Sequence, residues 1–121
     1  MTIQWITIKV ADFEKSKEFY RDYLGMKAVH EFSPNESMMI AFFEADNGMQ
    51  VELIHDKSFD HTQAHNTAVS LGICTPDYDK MLQIGRERKI VTVEPVILGG
   101  NMECFFVSDP DGVGIQISKG E

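Results

Sequence analysis

Few residue types in this 121-residue chain could do chemistry, and their spacing narrows the field. Glu52 lies in Gln50-Val51-Glu52-Leu53, where polar and apolar side chains alternate as on a half-buried strand. A lone carboxylate held away from water beside Trp5 is a candidate catalytic base. The same carboxylate could instead pair with Lys9 or hydrogen-bond Gln116 and serve as a ligand anchor. Trp5, the one tryptophan, could stack on a flat or cationic ligand. His61 and His65 are four residues apart, a spacing that puts both on one helical face and could hold a metal. The competing reading is that both are solvated linker residues. His55 could act as an acid or base at a cavity mouth, and His30 follows the first helix. Cys74 and Cys104 lack CxxC spacing and read as buried free thiols, with a disulfide as the alternative.

These side chains need elements to position them. Residues 3–10 read as a strand, with Ile6, Ile8 and Val10 on one face and Trp5, Thr7 and Lys9 on the other. Asp12 can cap a helix carrying Phe13, Ser16, Phe19, Tyr20, Tyr23 and Leu24 at helical spacing, and Gly25 suits its stop. Strands follow near 26–33, 37–44 and 49–55, with Asp46-Asn47-Gly48 as the turn of a hairpin.

The pattern then repeats. Ile8 to Lys15 matches Ile73 to Lys80 at a shift of 65, keeping strand, aspartate, aromatic, acid and lysine in order. Asp46 to Leu53 matches Pro110 to Ile117 at a shift of 64. Two matches in the same order, one residue out of step, predict a duplicated βαβββ module. Module one covers about 1–56, a polar linker 57–67, and module two about 68–121, all within a single domain. The second helix, with Asp77 as its cap, is expected to run to about Lys89. The predicted class is α+β, two tandem modules forming a curved mixed sheet around a cavity.

Opposite the apolar rows, the strands show Trp5, Thr7, Gln50, Glu52, Ser70, Gly72, Gly114, Gln116 and Ser118. That face suits a concave ligand site; the alternative is a solvated sheet face. Among Phe42, Phe43, Phe105 and Phe106, core is the default, with alternation aiming some at the cavity. Val96 to Asn101 reads as a turn that could close over the site, and Asp109-Pro110-Asp111-Gly112 as a structural turn.

Composition sets the outer limits. A net charge of −8 argues against nucleic acid or an anionic membrane as partner. No apolar run approaches the roughly 20 residues of a membrane span. Met1 to Trp5 lacks the regions of a signal peptide, so a cytoplasmic protein is expected.

Val10-Ala11-Asp12-Phe13-Glu14-Lys15-Ser16 with Phe19-Tyr20 and Leu24-Gly25-Met26, then Gln50 to Leu53, then Phe105-Phe106 with Asp109 to Gly112 and Ile115 to Ile117, together resemble the glyoxalase/bleomycin-resistance/dioxygenase (vicinal oxygen chelate) superfamily. The resemblance spans the chain and implies two modules per site and a homodimer. It also implies where a metal would be held: one residue on the first strand and one on the last strand of each module. Here those positions are Trp5, Glu52, Ser70 and Gln116. An indole is a donor only, a neutral serine hydroxyl ligates poorly, and a carboxylate plus an amide is short of a catalytic transition-metal set. The expectation is therefore a small-molecule-binding protein with no cofactor, its ligand held by Trp5, Thr7, Glu52, Ser70, Gln116 and Phe106. The alternative is a glyoxalase-like lyase, isomerase or dioxygenase with a degenerate divalent-metal site using Glu52, or Glu52 as base. A purely structural dimer module is a third reading.

Overall fold

The computed structural model describes residues 1–59 and 68–120. The chain divides into two compact units, Met1–Ala64 and His65–Glu121. Most of the expected linker, with His61 and His65, lies outside the described residues.

The first unit runs β1 (Trp5–Lys9), α1 (Phe13–Glu18), a π-helical turn (Phe19–Tyr23), β2 (Lys27–Asn35), β3 (Met38–Glu44) and β4 (Gln50–Asp56). Its strands form one mixed sheet in the order β1-β4-β3-β2, with β1 parallel to β4 and the other pairs antiparallel. Asp12 caps α1 by accepting the Lys15 N–H at 3.0 Å. The helix packs against β4, and Ile8, Val10, Val51, Leu53, Ala41 and Phe43 close the core with Phe13, Tyr20 and Tyr23. An extra residue in β2 at Val29 resets the pleat, so that His30 pairs with Phe42 and Glu31 with Ala41. Glu31 thereby reaches the helix side, where Lys17 meets it at 3.1 Å and Glu14 at 3.0 Å. Burial pulls the Lys17 ammonium down, but its bonds to Glu14 and Glu31 outweigh this and hold it above its ordinary value.

The second unit repeats the plan as β5 (Ser70–Thr75), α2 (Tyr78–Glu87), β6 (Val91–Leu98), β7 (Met102–Ser108) and β8 (Gly114–Lys119). The sheet order is β5-β8-β7-β6, again with the first pair parallel. The α+β class and the doubled βαβββ order thus hold, with one four-stranded mixed sheet in each module. α2 ends at Glu87, two residues before the expected Lys89, because Lys89 turns into the left-handed region at φ 59°. Asp77 makes no side-chain cap; the Thr75 hydroxyl accepts the Asp77 N–H instead.

The ladders carry the duplication residue by residue. Trp5 pairs with Gln50 and Thr7 with Glu52. Shifting the first partner by 65 and the second by 64 turns these into Ser70 with Gly114 and Gly72 with Gln116, which are the pairs observed. Phe42 with Glu52, both shifted by 64, becomes Phe106 with Gln116. The one-residue slip also has a location. Tyr20 corresponds to Gly85 at 65, and Gly25 to Lys89 at 64, so module one has one extra residue between them. That stretch is the π-helical turn, where Leu24 N–H bonds back five residues to Phe19 O at 2.9 Å. A π-bulge is how a helix absorbs an inserted residue without shifting its ends. The π-helical turn interrupts what the spacing predicts as one regular helix through Leu24.

Candidate functional site

Strand alternation places Trp5 and Thr7 of β1, Gln50 and Glu52 of β4, and Ile40, Phe42 and Glu44 of β3 on the face opposite α1. The β2 bulge adds His30 and Phe32. Thr7 Oγ1 donates to Glu52 Oε1 at 2.6 Å, and Gln50 Nε2 donates to Glu44 Oε1 at 3.0 Å. Trp5 meets Phe42 edge-on, centroids 5.9 Å apart, so the two rings bridge across β4 beside Glu52. Phe42 continues to His30 at 6.5 Å, and His30 to Phe32 at 4.8 Å. Trp5 is 47% exposed and Phe32 39%, which makes this row a surface and not a core. Trp5 and Gln50 also border an open cleft of about 540 Å³ along Thr2 to Gln4 and the Asn47–Met49 turn, a cleft that does not include Glu52.

Two expectations about this unit change. Glu52 forms no ion pair with Lys9 among the described residues, and its hydrogen-bond partner is Thr7. Lys9 instead lies over the Phe59 ring at 5.8 Å, beside Asp56. The backbone N–H and hydroxyl of Ser58 hold the Asp56 carboxyl below its usual range, with Lys9 adding to the effect. His55 points, by alternation, away from Glu52: its Nδ1 lies 3.0 Å from Val10 O and must donate there, which ties the ring to the backbone.

In the second unit, Ser70, Gly72 and Cys74 of β5, Gly114, Gln116 and Ser118 of β8, and Met102, Cys104 and Phe106 of β7 share the face opposite α2. Gln116 Nε2 donates to Cys104 Sγ at 3.5 Å and lies 3.6 Å from Met102 Sδ. Cys104 is buried as expected, but Cys74 is exposed. The two cysteines flank Ser118 on the strand between them, roughly 10 Å apart across two strand spacings, beyond the reach of a disulfide. Val96, Ile97 and Leu98 belong to β6 and pair with Cys104, Glu103 and Met102. The expected closing turn is therefore a hairpin tip at Gly99-Gly100, both at positive φ. Asp109 is structural, as expected: its Oδ1 accepts the N–H groups of Asp111 and Val113, both at 2.8 Å.

The first unit thus gathers Trp5, Thr7 and Glu52, and the second gathers Ser70, Gln116 and Phe106. The four positions that the superfamily resemblance marks for a metal offer one carboxylate, already engaged by a hydroxyl, an indole N–H, a serine hydroxyl, and an amide turned toward sulfur. That donor set does not fit a transition metal. Among the described residues, no group of three or more His, Cys, Asp or Glu is placed to hold a metal ion. Sequence reasoning missed His30 and left Phe42 with the core. The period-two pattern could have found Phe42; His30 needed the Val29 bulge, which leaves no composition signal.

The model of the Glyoxalase/Bleomycin resistance protein/Dioxygenase superfamily matches residues 2–117. The chain belongs to that superfamily. This member is 28% identical over 117 residues to a probable lactoylglutathione lyase of Synechocystis, covering 91% of this chain and 88% of that one. It is 29% identical over 116 residues to a probable lactoylglutathione lyase of Vibrio cholerae, covering 91% and 84%. Its fold matches glyoxalase I from Zea mays with a TM-score of 0.81 at 22% identity, covering 96% of this chain but only 43% of the maize chain. This superfamily member therefore spans less than half of that larger protein.

Proposed function

We propose that this superfamily member is a metal-free small-molecule-binding protein. The observation that carries the reading is the donor set Trp5, Glu52, Ser70 and Gln116, which trades metal ligands for an indole, a hydroxyl and an amide. On this reading Trp5, Thr7, Glu52, Ser70, Gln116 and Phe106 contact the ligand, and the two modules act as one domain, residues 1–121. The protein is a cytoplasmic homodimer. Exposed Val93, Val96, Leu98 and Met102 share the face of Phe106 and Gln116 in the second sheet and supply apolar surface for self-association beside the ligand. Among the described residues, no helix is long and apolar enough to cross a membrane.

The test follows Trp5 emission against a panel of planar antibiotics and metabolites. A saturable change for at least one compound, lost in Glu52→Gln, is expected. No change across the panel overturns the reading.

The similarity to lactoylglutathione lyases favours one second reading, a lyase of that type with Glu52 as the base. Lactoylglutathione lyase activity that depends on added divalent metal and disappears in Glu52→Gln would establish it in place of the first.

A further inference from the structure

We propose that the open face of the first sheet selects a planar organic cation, its ring lying in the row Trp5, Phe42, His30 and Phe32 and its charge seated at the Glu52 carboxylate. This deepens the small-molecule-binding reading and rests on it.

Two independent features meet here. The first is the aromatic row, three ring contacts that cross from β1 through β3 to β2 on a face where Trp5 and Phe32 are exposed. Ring faces carry negative potential and attract cations, and flat ligands stack on them. The second is the state of Glu52. It stands directly opposite Phe42 in the β3–β4 ladder and opposite Thr7 in the β1–β4 ladder. Thr7 donates to Oε1, while Oε2 has no partner among the described residues. A hydroxyl orients a carboxylate without neutralising it, so the charge stays available beside the rings.

The cations of this face lie at its margins. Lys9 is over Phe59 near Asp56, and Lys27 stands opposite Glu44 in the β2–β3 ladder. An anionic ligand would meet Glu52 unopposed, and a neutral one would leave it unused. Module two shows the contrast: at the matching positions it has Ser70 for Trp5 and Gln116 for Glu52, so neither feature is repeated.

The test uses two probes of one shape, the N-methylquinolinium cation and neutral 1-methylnaphthalene. Each is titrated calorimetrically into the full chain at physiological salt, where diffuse attraction to the net negative protein is screened. The cation is expected to bind about tenfold more tightly. In Glu52→Gln the preference should collapse, and in Trp5→Leu both probes should weaken, with circular dichroism confirming that each variant is folded. Equal binding of the two probes overturns the cation inference and leaves small-molecule binding standing. A preference that persists in Glu52→Gln also overturns it, because the selectivity would then come from overall charge. Binding of neither probe overturns it as well, and the compound panel then decides the broader reading separately.

Discussion

In the first unit the helix carries the bulk and the central strand is small: Tyr20 is fully buried above a sheet with Ala41 in β3. In the second the bulk changes sides, with Gly85 at the Tyr20 position and Phe105 at the Ala41 position. At these two matched positions each core thus has one large and one small residue, in opposite layers, and both cores stay closed. The open faces diverge without any such compensation. One has a row of rings and a carboxylate, and the other has a single ring, Phe106, among small groups, sulfur and an amide. Packing constrains the core pair by pair, whereas a solvent-facing row answers only to what it binds.

The largest effect should come from removing the displaced bulk. Phe105→Ala empties a site with no exposure, where the Tyr78 ring lies 5.1 Å away, and α2 has only Gly85 at the position that bears Tyr20 in the π-helical turn of the first unit. A loss of about 3–5 kcal/mol by denaturant unfolding is expected; a loss below 1 kcal/mol would break the claim that bulk was exchanged.

Next are the β3–β4 and β7–β8 turns. Both share two backbone bonds, Ala45 N to Met49 O with Gly48 N to Ala45 O, and Asp109 N to Val113 O with Gly112 N to Asp109 O. Only the second adds a buried carboxylate that takes two N–H groups. Asp109→Ala should cost about 1–3 kcal/mol, while the first unit shows that the turn can form around alanine. An unchanged unfolding midpoint would mean that the carboxylate adds nothing.

Lys89 sits at φ 59° where the first unit has Gly25 at φ 72°. Lys89→Gly should therefore stabilise by about 1 kcal/mol, read as a raised unfolding midpoint.

The smallest effect separates Tyr78 from its counterpart Phe13. The Tyr78 hydroxyl is buried with no hydrogen-bond partner among the described residues. Burial, then the nearby Glu103 carboxylate, pushes its pKa up to about 12. The folded state therefore keeps the proton longer than the unfolded chain, and stability should fall as pH rises from about 10 towards about 12. Tyr78→Phe should flatten that slope and leave neutral-pH stability equal or slightly higher; a slope that survives would remove Tyr78 from the account.

Much of this was legible in the sequence because duplication leaves two readings of every position. The 65 and 64 shifts match Trp5 with Ser70 and Glu52 with Gln116, and the ladders place each matched pair at the same point of its sheet. The reason for the slip was not legible: a π-turn and a regular helix share the same apolar spacing over a few residues. Nor was the place of His30, since a bulge at an ordinary valine reverses which face follows it. The Thr7–Glu52 bond was half legible, as alternation put both on one face but could not choose Thr7 over Lys9.

We propose that Trp5, Glu52, Ser70 and Gln116, the positions that the superfamily resemblance marks for a metal, do not hold one in this protein. Protein purified without chelators and analysed for metals by mass spectrometry tests it most directly. Transition metal well below one equivalent per chain, equal in wild type and Glu52→Gln, is the predicted result. About one equivalent in the wild type that is lost in Glu52→Gln would contradict it.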